Sequence, residues 1–324
     1  MEIERLLREQ GGVVARRQVL EAGGDDNLIE RMMRRNVWRP LHPGVYVNHT
    51  GRPTREQQRM AALLHSWPAA LSGESALLAH GVRNVAEAEI RLCVDRGRRI
   101  VTPTGVGVLR LQDFERRVQW NLTPPRLRVE EAALETASRR WSRSGEAEAV
   151  ALLADLCQQR FSTPERLLTE LDKHTRLAGR SFLRELLDDV ATGAFSLLEH
   201  RYLTRVERAH GLPSGKRQVG FAHTDRAGYR DVSYPGQRML VELDGRLGHE
   251  FAADQWDDLE RDLDAATQEL MTVRLGWGLV ASPCLLAGTM GRLFRSRGWP
   301  GEPQACRACR SVEDLRHLAP KRLH

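Results

Sequence analysis

The stretch "YRDVSYPGQRMLVELDG", residues 229–245, most narrows what this chain can fold into. Proline presets φ at the second position of a β-turn and glycine permits φ > 0 at the third, so Tyr234-Pro235-Gly236-Gln237 reads as the turn of a hairpin. The run Met239-Leu240-Val241 is apolar on both faces, which marks a strand inside a sheet. If residue 234 opposes 237, then 231 opposes 240. Alternation puts Met239, Val241 and Leu243 on one face, and Leu240, Glu242 and Asp244 on the other, with Asp231 joining the second face. Glu242 is then the diagonal neighbour of Asp231, at a Cα separation of about 7–8 Å. Strand interiors are poor places for acids, and clustered carboxylates repel one another. A hard divalent cation resolves the conflict: Mg²⁺, or Mn²⁺ in its place, takes one or two carboxylates and keeps water or phosphate oxygens as its other ligands. The alternative is an exposed hairpin whose charges are simply solvated.

Composition sharpens the contrast. The chain has 324 residues and a formal net charge of +6, from 49 basic and 43 acidic side chains. Segment 231–264 nevertheless holds ten acidic residues against three basic ones, as an ion site next to a polyanion would. Only Lys173, Lys216 and Lys321 are lysines. The remaining cations are arginines, whose guanidinium groups make bidentate phosphate contacts. Five well-spread cysteines do not suggest a secreted disulfide framework. The start "MEIERLLREQ" is charged and amphipathic, unlike a signal peptide, and no run approaches the ~20 apolar residues of a membrane span. A cytoplasmic protein of two or three domains, with no membrane partner, is expected.

Residues 2–9, 15–22 and 26–36 read as three short helices, with Asp25, Asp26 and Asn27 as candidate caps and Asn27 to Glu30 spaced as a capping box. On the third helix Leu28, Ile29, Met32 and Met33 share one face, and Arg31, Arg34 and Arg35 the opposite one. "WRPLHPGVYV" (38–47) follows as two short strands around His42-Pro43-Gly44. Three helices and a hairpin are the plan of a winged helix, with 26–36 as the DNA-reading element; a solvated face on a packing helix is the alternative. Residues 54–82 read as helical, with 70–82 a buried helix. Residues 88–130 turn to strand-like alternation and 130–192 return to helix.

The phrases "GGVVARRQVLEAG", "RPLHPGVYV", "ALSGESALLAHGV" and "NLTPPRLRVEEAALETA" make the first two hundred residues resemble the AbiEi-type antitoxins of type IV toxin–antitoxin systems. That resemblance implies a DNA-binding winged helix over 1–50 joined to an α/β region over 51–192.

The pattern D-x10-E-L-D-G, followed by His249 and "DDLERDLDAATQEL", resembles the PD-(D/E)xK nuclease superfamily, in its branch related to very-short-patch-repair endonucleases. The likeness runs over about 194–299, including "TVRLGWGLV" and "LFRSRGWPG". It implies a restriction-endonuclease-like α/β domain over 193–300 with a central mixed sheet, ahead of a tail at 301–324. It also implies that Asp231 and Glu242 hold the metal. Asp244 stands where the superfamily has a lysine, which leaves the proton-transfer group open between His249 and a water relayed by Asp244. A histidine at 249 could activate water near neutral pH, or could be structural. Arg246 could neutralise the scissile phosphate, and Lys216 with Gln218 could touch a nucleic-acid backbone. Glu199 in "FSLLEHRYL" matches a glutamate that approaches the metal in this branch, but Ser196-x-x-Glu199 is equally a capping box. Arg261 and Asp262 are candidates to support the metal ligands.

Cys306-x-x-Cys309 supplies two of the four ligands that zinc takes. Cys284, His317 or His324 could complete the set, but a pair of reduced thiols is the expected state. No P-loop, dinucleotide fingerprint or G-x-S-x-G elbow is present. The expected protein is therefore a multi-domain α/β, DNA-binding, Mg²⁺-dependent endonuclease of double-stranded DNA, acting in mismatch or damage repair or in defence. Its rivals are an antitoxin-type transcriptional regulator with an inactive nuclease fold and, less favoured, an RNA-cleaving enzyme.

Overall fold

The structure, a computed structural model, describes residues 2–192, 196–223, 226–245 and 266–309; for residue 196 and for 218–223 and 226–231 it describes the backbone alone. It is a multi-domain α/β protein that divides into two compact units, Met1–Thr136 and Ala137–His324. Among the described residues no helix is long and apolar enough to cross a membrane.

The first unit opens with α1 (Glu2–Glu9), β1 (Val13–Ala15), α2 (Arg16–Glu21), α3 (Asp26–Arg34), β2 (Arg39–His42) and β3 (Val45–Val47). The three strands form an antiparallel sheet in the order β1-β3-β2. Three helices and a small antiparallel sheet with a β2–β3 hairpin are the elements expected from the sequence for this region, with β3 buried along its length. Its core is Val14, Val19, Ile29, Trp38 and Tyr46, with Leu28, Met32 and Met33 of α3 packed against it. Trp38 stacks on Tyr46 at 6.0 Å between ring centroids. The apolar stripe of α3 thus decides which way the helix faces.

The cap of α3 differs from the expected box. Asp25 is the N-cap, accepting the Leu28 N–H at 2.7 Å, while Asn27 already lies inside the helix. Asp26 is drawn away by Arg16, whose Nε and Nη2 reach its two carboxylate oxygens at 2.7 and 2.6 Å. Asp25→Ala is expected to lower stability by about 1 kcal/mol, the usual worth of an N-cap. Urea denaturation of wild type and variant measures it.

The unit continues with α4 (Arg55–His65), β4 (Ala70–Leu71), α5 (Gly73–Ala79), β5 (Ile90–Asp95), β6 (Val106–Leu111), α6 (Phe114–Arg117), β7 (Val118–Gln119) and β8 (Arg126–Leu127). The strands form a mixed sheet in the order β6-β5-β4-β8-β7. The expected helix over 70–82 is shorter than its apolar pattern: Ala70 and Leu71 pair with Cys93 and Leu92 as a strand, and α5 starts at Gly73. A fully buried apolar run fits helix and strand equally well by periodicity.

Helix α7 (Val129–Ser144) runs across the division between the units. The second unit then has α8 (Glu146–Gln158), α9 (Pro164–Asp172), α10 (Arg180–Thr192) and α11 (Ser196–Arg201). The last passes into a π turn over Tyr202–Glu207 and a 3₁₀ turn over Arg208–His210. Next come β9 (Lys216–His223), β10 (Arg226–Tyr234), β11 (Met239–Asp244) and β12 (Met271–Gly276), followed by α12 (Trp277–Val280) and α13 (Pro283–Ser296). These four strands make one sheet in the order β12-β11-β10-β9. β9, β10 and β11 are an antiparallel meander and β12 is parallel to β11. The Met239-Leu240-Val241 run therefore lies on an interior strand, as its composition requires.

Candidate functional site

The hairpin register departs from the one that a tight Pro-Gly turn implies. Tyr234 meets Met239, Ser233 meets Leu240 and Val232 meets Val241. Pro235–Gln237 form a 3₁₀ turn, and Arg238, at φ 51°, takes the left-handed conformation that closes the loop. The loop is thus two residues longer than expected, and Gly236 is not the position with positive φ. A slip of one would have turned every side chain to the other face; a slip of two preserves the faces. Carried one residue further along both strands, the register sets 231 against 242. On that continuation the two positions are direct cross-strand partners rather than diagonal neighbours.

Burial separates the two faces of β11. Met239, Val241 and Leu243 are buried; on the other face Leu240 is buried while Glu242 and Asp244 are half-buried. The acids therefore occupy the end of β11 where its outer face opens. On β12, Thr272 is paired with Leu240, Arg274 with Glu242 and Gly276 with Asp244. On β9, Lys216 is paired with Ser233. One sheet face thus carries positions 216, 231, 233, 242, 244, 272 and 274. Arg274, exposed and level with Glu242, was not singled out in the sequence. Its signal was the strand "TVRLG", but a parallel register is invisible without knowing the sheet order. Arg246, His249, Arg261 and Asp262 lie outside the described residues. Glu199 is half-buried in the first turn of α11; the Leu197 N–H of that turn goes to Asp189 Oδ1 at 3.1 Å.

The opposite face packs on the helical segment that follows α11. Tyr202 and Tyr234 hydroxyls are 2.9 Å apart, and Tyr234 donates to Glu207 Oε2 at 2.6 Å. The same oxygen accepts from Arg217 Nη2 at 3.0 Å and from the Gly215 N–H at 3.3 Å. Burial raises the pKa of both phenols. The π turn is what brings Tyr202 and Glu207 to the sheet together, since a five-residue spacing does not stay on one side of a regular α-helix. Phe294 of α13 completes this layer, 4.7 Å from the Tyr234 ring. None of this network was anticipated from sequence.

In the winged helix, Arg31, Arg34 and Arg35 are all exposed, on the side of α3 away from its core contacts with Ile29, Met32 and Met33. They face solvent as the 3.6-residue period demands.

Near the chain end, the structure gathers four ligand-type side chains. Cys284 Sγ lies 3.6 Å from Cys306 Sγ, which lies 3.6 Å from Cys309 Sγ. Cys309 Sγ is 3.9 Å from His210 Nε2. Cys284 was among the expected companions of the CxxC pair; His210 was not, and His317 and His324 lie outside the described residues. His210 is wholly buried, with its Nδ1 3.0 Å from the Val206 carbonyl oxygen. Burial lowers its pKa, against the pull of that carbonyl. The Cys284 thiol is pushed up to about 12 by burial and by its hydrogen bond with Cys306. Burial also acts to raise Cys306, but the N–H groups of Ala308 and Cys309 outweigh it and bring the thiol below its ordinary value.

No family model and no curated protein matches this chain. Among solved structures it is similar to the RV2827C protein from Mycobacterium tuberculosis, at 20% identity and a TM-score of 0.37, over 56% of this chain and 74% of that one.

The chemistry open to the sheet face follows from its donors. Carboxylates, the residue type at 231, 242 and 244, are hard oxygen ligands of the kind that divalent cations such as Mg²⁺ take. The Cys/His group offers soft sulfur and imidazole nitrogen, which suit a different class of metal.

Proposed function

We propose that the chain is a DNA-binding, Mg²⁺-dependent endonuclease in which the winged helix grips double-stranded DNA and the outer face of the β9–β12 sheet cuts it. The observation that supports this reading is the β10/β11 register of Val232 with Val241 and Ser233 with Leu240, which, continued by one residue, would bring 231 opposite the half-buried Glu242. The residue types fit the ion: acids at 231, 242 and 244 and no soft ligand among them. Asp231 and Glu242 would hold the metal, with Asp244 and His249 as the candidates to handle the proton of the attacking water. A bound Mg²⁺ supplies charge neutralisation at the phosphate and a lowered pKa for its water. Lys216 and Arg274 flank the acids along the sheet and would seat the phosphodiester backbone. The helix–meander–parallel-strand order supports the likeness to PD-(D/E)xK nucleases read from D-x10-E-L-D, as does the interior position of β11.

Plasmid and mismatched duplexes, incubated with the protein and Mg²⁺ or Mn²⁺ and then with EDTA, test the reading: metal-dependent nicking is expected. A single-stranded RNA panel should remain uncut. The alternative, a DNA-binding regulator with an inactive nuclease fold, draws on Arg274, whose register position beside Glu242 lets a guanidinium take the place of a cation. It requires binding without cleavage on every substrate.

The winged helix makes its own prediction. Replacing Arg31, Arg34 and Arg35 together by alanine should weaken binding to all duplex sequences. The log–log salt dependence should become shallower by about 0.9 for each phosphate that is no longer neutralised. Fluorescence anisotropy across a salt series reads both.

A further inference from the structure

We propose that His210, Cys284, Cys306 and Cys309 form a structural zinc site that fastens the C-terminal strap, residues 301–309, to the body of the second unit. The site is separate from the acidic sheet face and stands whether or not that face binds a metal.

The geometry is that of a four-coordinate ion. Zn–S bonds of about 2.3 Å in a tetrahedron put neighbouring sulfurs about 3.8 Å apart, and Zn–N bonds of about 2.0 Å put sulfur and nitrogen about 3.5 Å apart. The structure has 3.6, 3.6 and 3.9 Å around the chain Cys284–Cys306–Cys309–His210, and all four ligand atoms lie within 4.8 Å of one another. A disulfide would bring two sulfurs to about 2.05 Å and leave a buried thiol and imidazole behind.

The surroundings prepare each ligand. His210 has its Nδ1 against the Val206 carbonyl, which fixes the tautomer and leaves the Nε2 lone pair directed at the sulfurs; metal-bound histidines are held in this way. The Ala308 N–H donates to Cys306 Sγ at 3.3 Å and the Cys306 N–H to Cys309 Sγ at 3.1 Å. Such donors favour thiolate, the form that binds metal. Cys284 sits in the first turn of α13, directly after Pro283. The strap is seated independently of any ion. The Gln304 N–H donates to the His210 carbonyl at 2.8 Å, and Pro303 lies where a Cβ on Gly291 would stand. Three thiolates and an imidazole fill the coordination sphere with protein atoms, leaving no open position for substrate, so the role is structural. The three elements joined are the turn after the π segment, the start of α13 and the strap; the π segment itself and the later part of α13 carry the contacts to Tyr234.

Elemental analysis of the full-length protein, purified without added metal, should find one zinc per chain. Exchange with Co²⁺ should give the visible bands and the intense near-ultraviolet sulfur-to-metal transition of a tetrahedral thiolate site. Cys309→Ser should reduce bound zinc at least tenfold, whereas Cys157→Ala, a cysteine outside the cluster, should keep the full equivalent. Because the serine variant can fail to fold, the wild-type metal content and cobalt spectrum decide by themselves. A metal-free wild type that takes up no Co²⁺, iron in place of zinc, or a disulfide among Cys284, Cys306 and Cys309 on non-reducing peptide mapping would each overturn the proposal.

Discussion

Asp231→Ala and Glu242→Ala are each expected to cut Mg²⁺-dependent nicking by more than about 100-fold while leaving duplex affinity within about twofold. Losing a residue that merely orients a metal ligand already costs about 10–100-fold, and losing a ligand itself costs more. Affinity should hold because phosphate contacts position the protein, and these come from cations on α3 and on the neighbouring strands rather than from the acids. Stability provides an independent readout. Adding Mg²⁺ should raise the wild-type melting temperature, since an ion that binds only the folded state stabilises it, and should leave the variants where they were. Full nicking by both variants would remove the nuclease reading. Nicking absent from wild type, with Arg274→Ala gaining Mg²⁺ binding, would favour the regulator.

The parts of this fold that could be read in advance were those governed by local periodicity. The way α3 turns Ile29 and Met32 toward its core and Arg31 and Arg34 toward solvent follows from 3.6 residues per turn. The interior position of β11 follows from three consecutive apolar residues. The loop at 235–238 was misjudged because Pro-Gly fits a two-residue turn, whereas left-handed Arg238 closes a longer one. A non-glycine residue in that conformation leaves no mark in the sequence. An even slip leaves the alternation of faces along the two paired strands as expected. Long-range placements were not legible at all. Arg274 beside Glu242 needs the parallel pairing of β11 with β12, and His210 beside Cys309 needs two segments 99 residues apart to meet. The CxxC motif announced half a metal site; the other half came from a helix end and from the start of α13.

Glu207→Ala is expected to be the most destabilising single change in the second unit outside its apolar core, at about 3 kcal/mol. The carboxylate is 2% exposed and accepts from Tyr234, Arg217 and the Gly215 N–H. Removing it leaves a buried phenol and a guanidinium without their acceptor, and breaking one side of a buried charged pair costs about 3–5 kcal/mol. Partial exposure of Arg217, 27% at its side chain, places the expectation at the lower end. Tyr234→Phe leaves Glu207 with two of its donors and removes two hydrogen bonds, so it should cost about 1–2 kcal/mol. The double variant should cost less than the sum, because both changes remove one shared hydrogen bond. Urea titrations of the four proteins give the cycle, and additivity within about 0.3 kcal/mol would mean that the network does not act as a unit. The consequence reaches the opposite face of the sheet. Tyr234 is the residue whose pairing with Met239 sets the hairpin register, and Glu207 ties that residue to the helix behind it. A weakened tie lets β10 shift against β11, so Glu207→Ala should also lose Mg²⁺-induced stabilisation, without a single acid on the outer face having been changed.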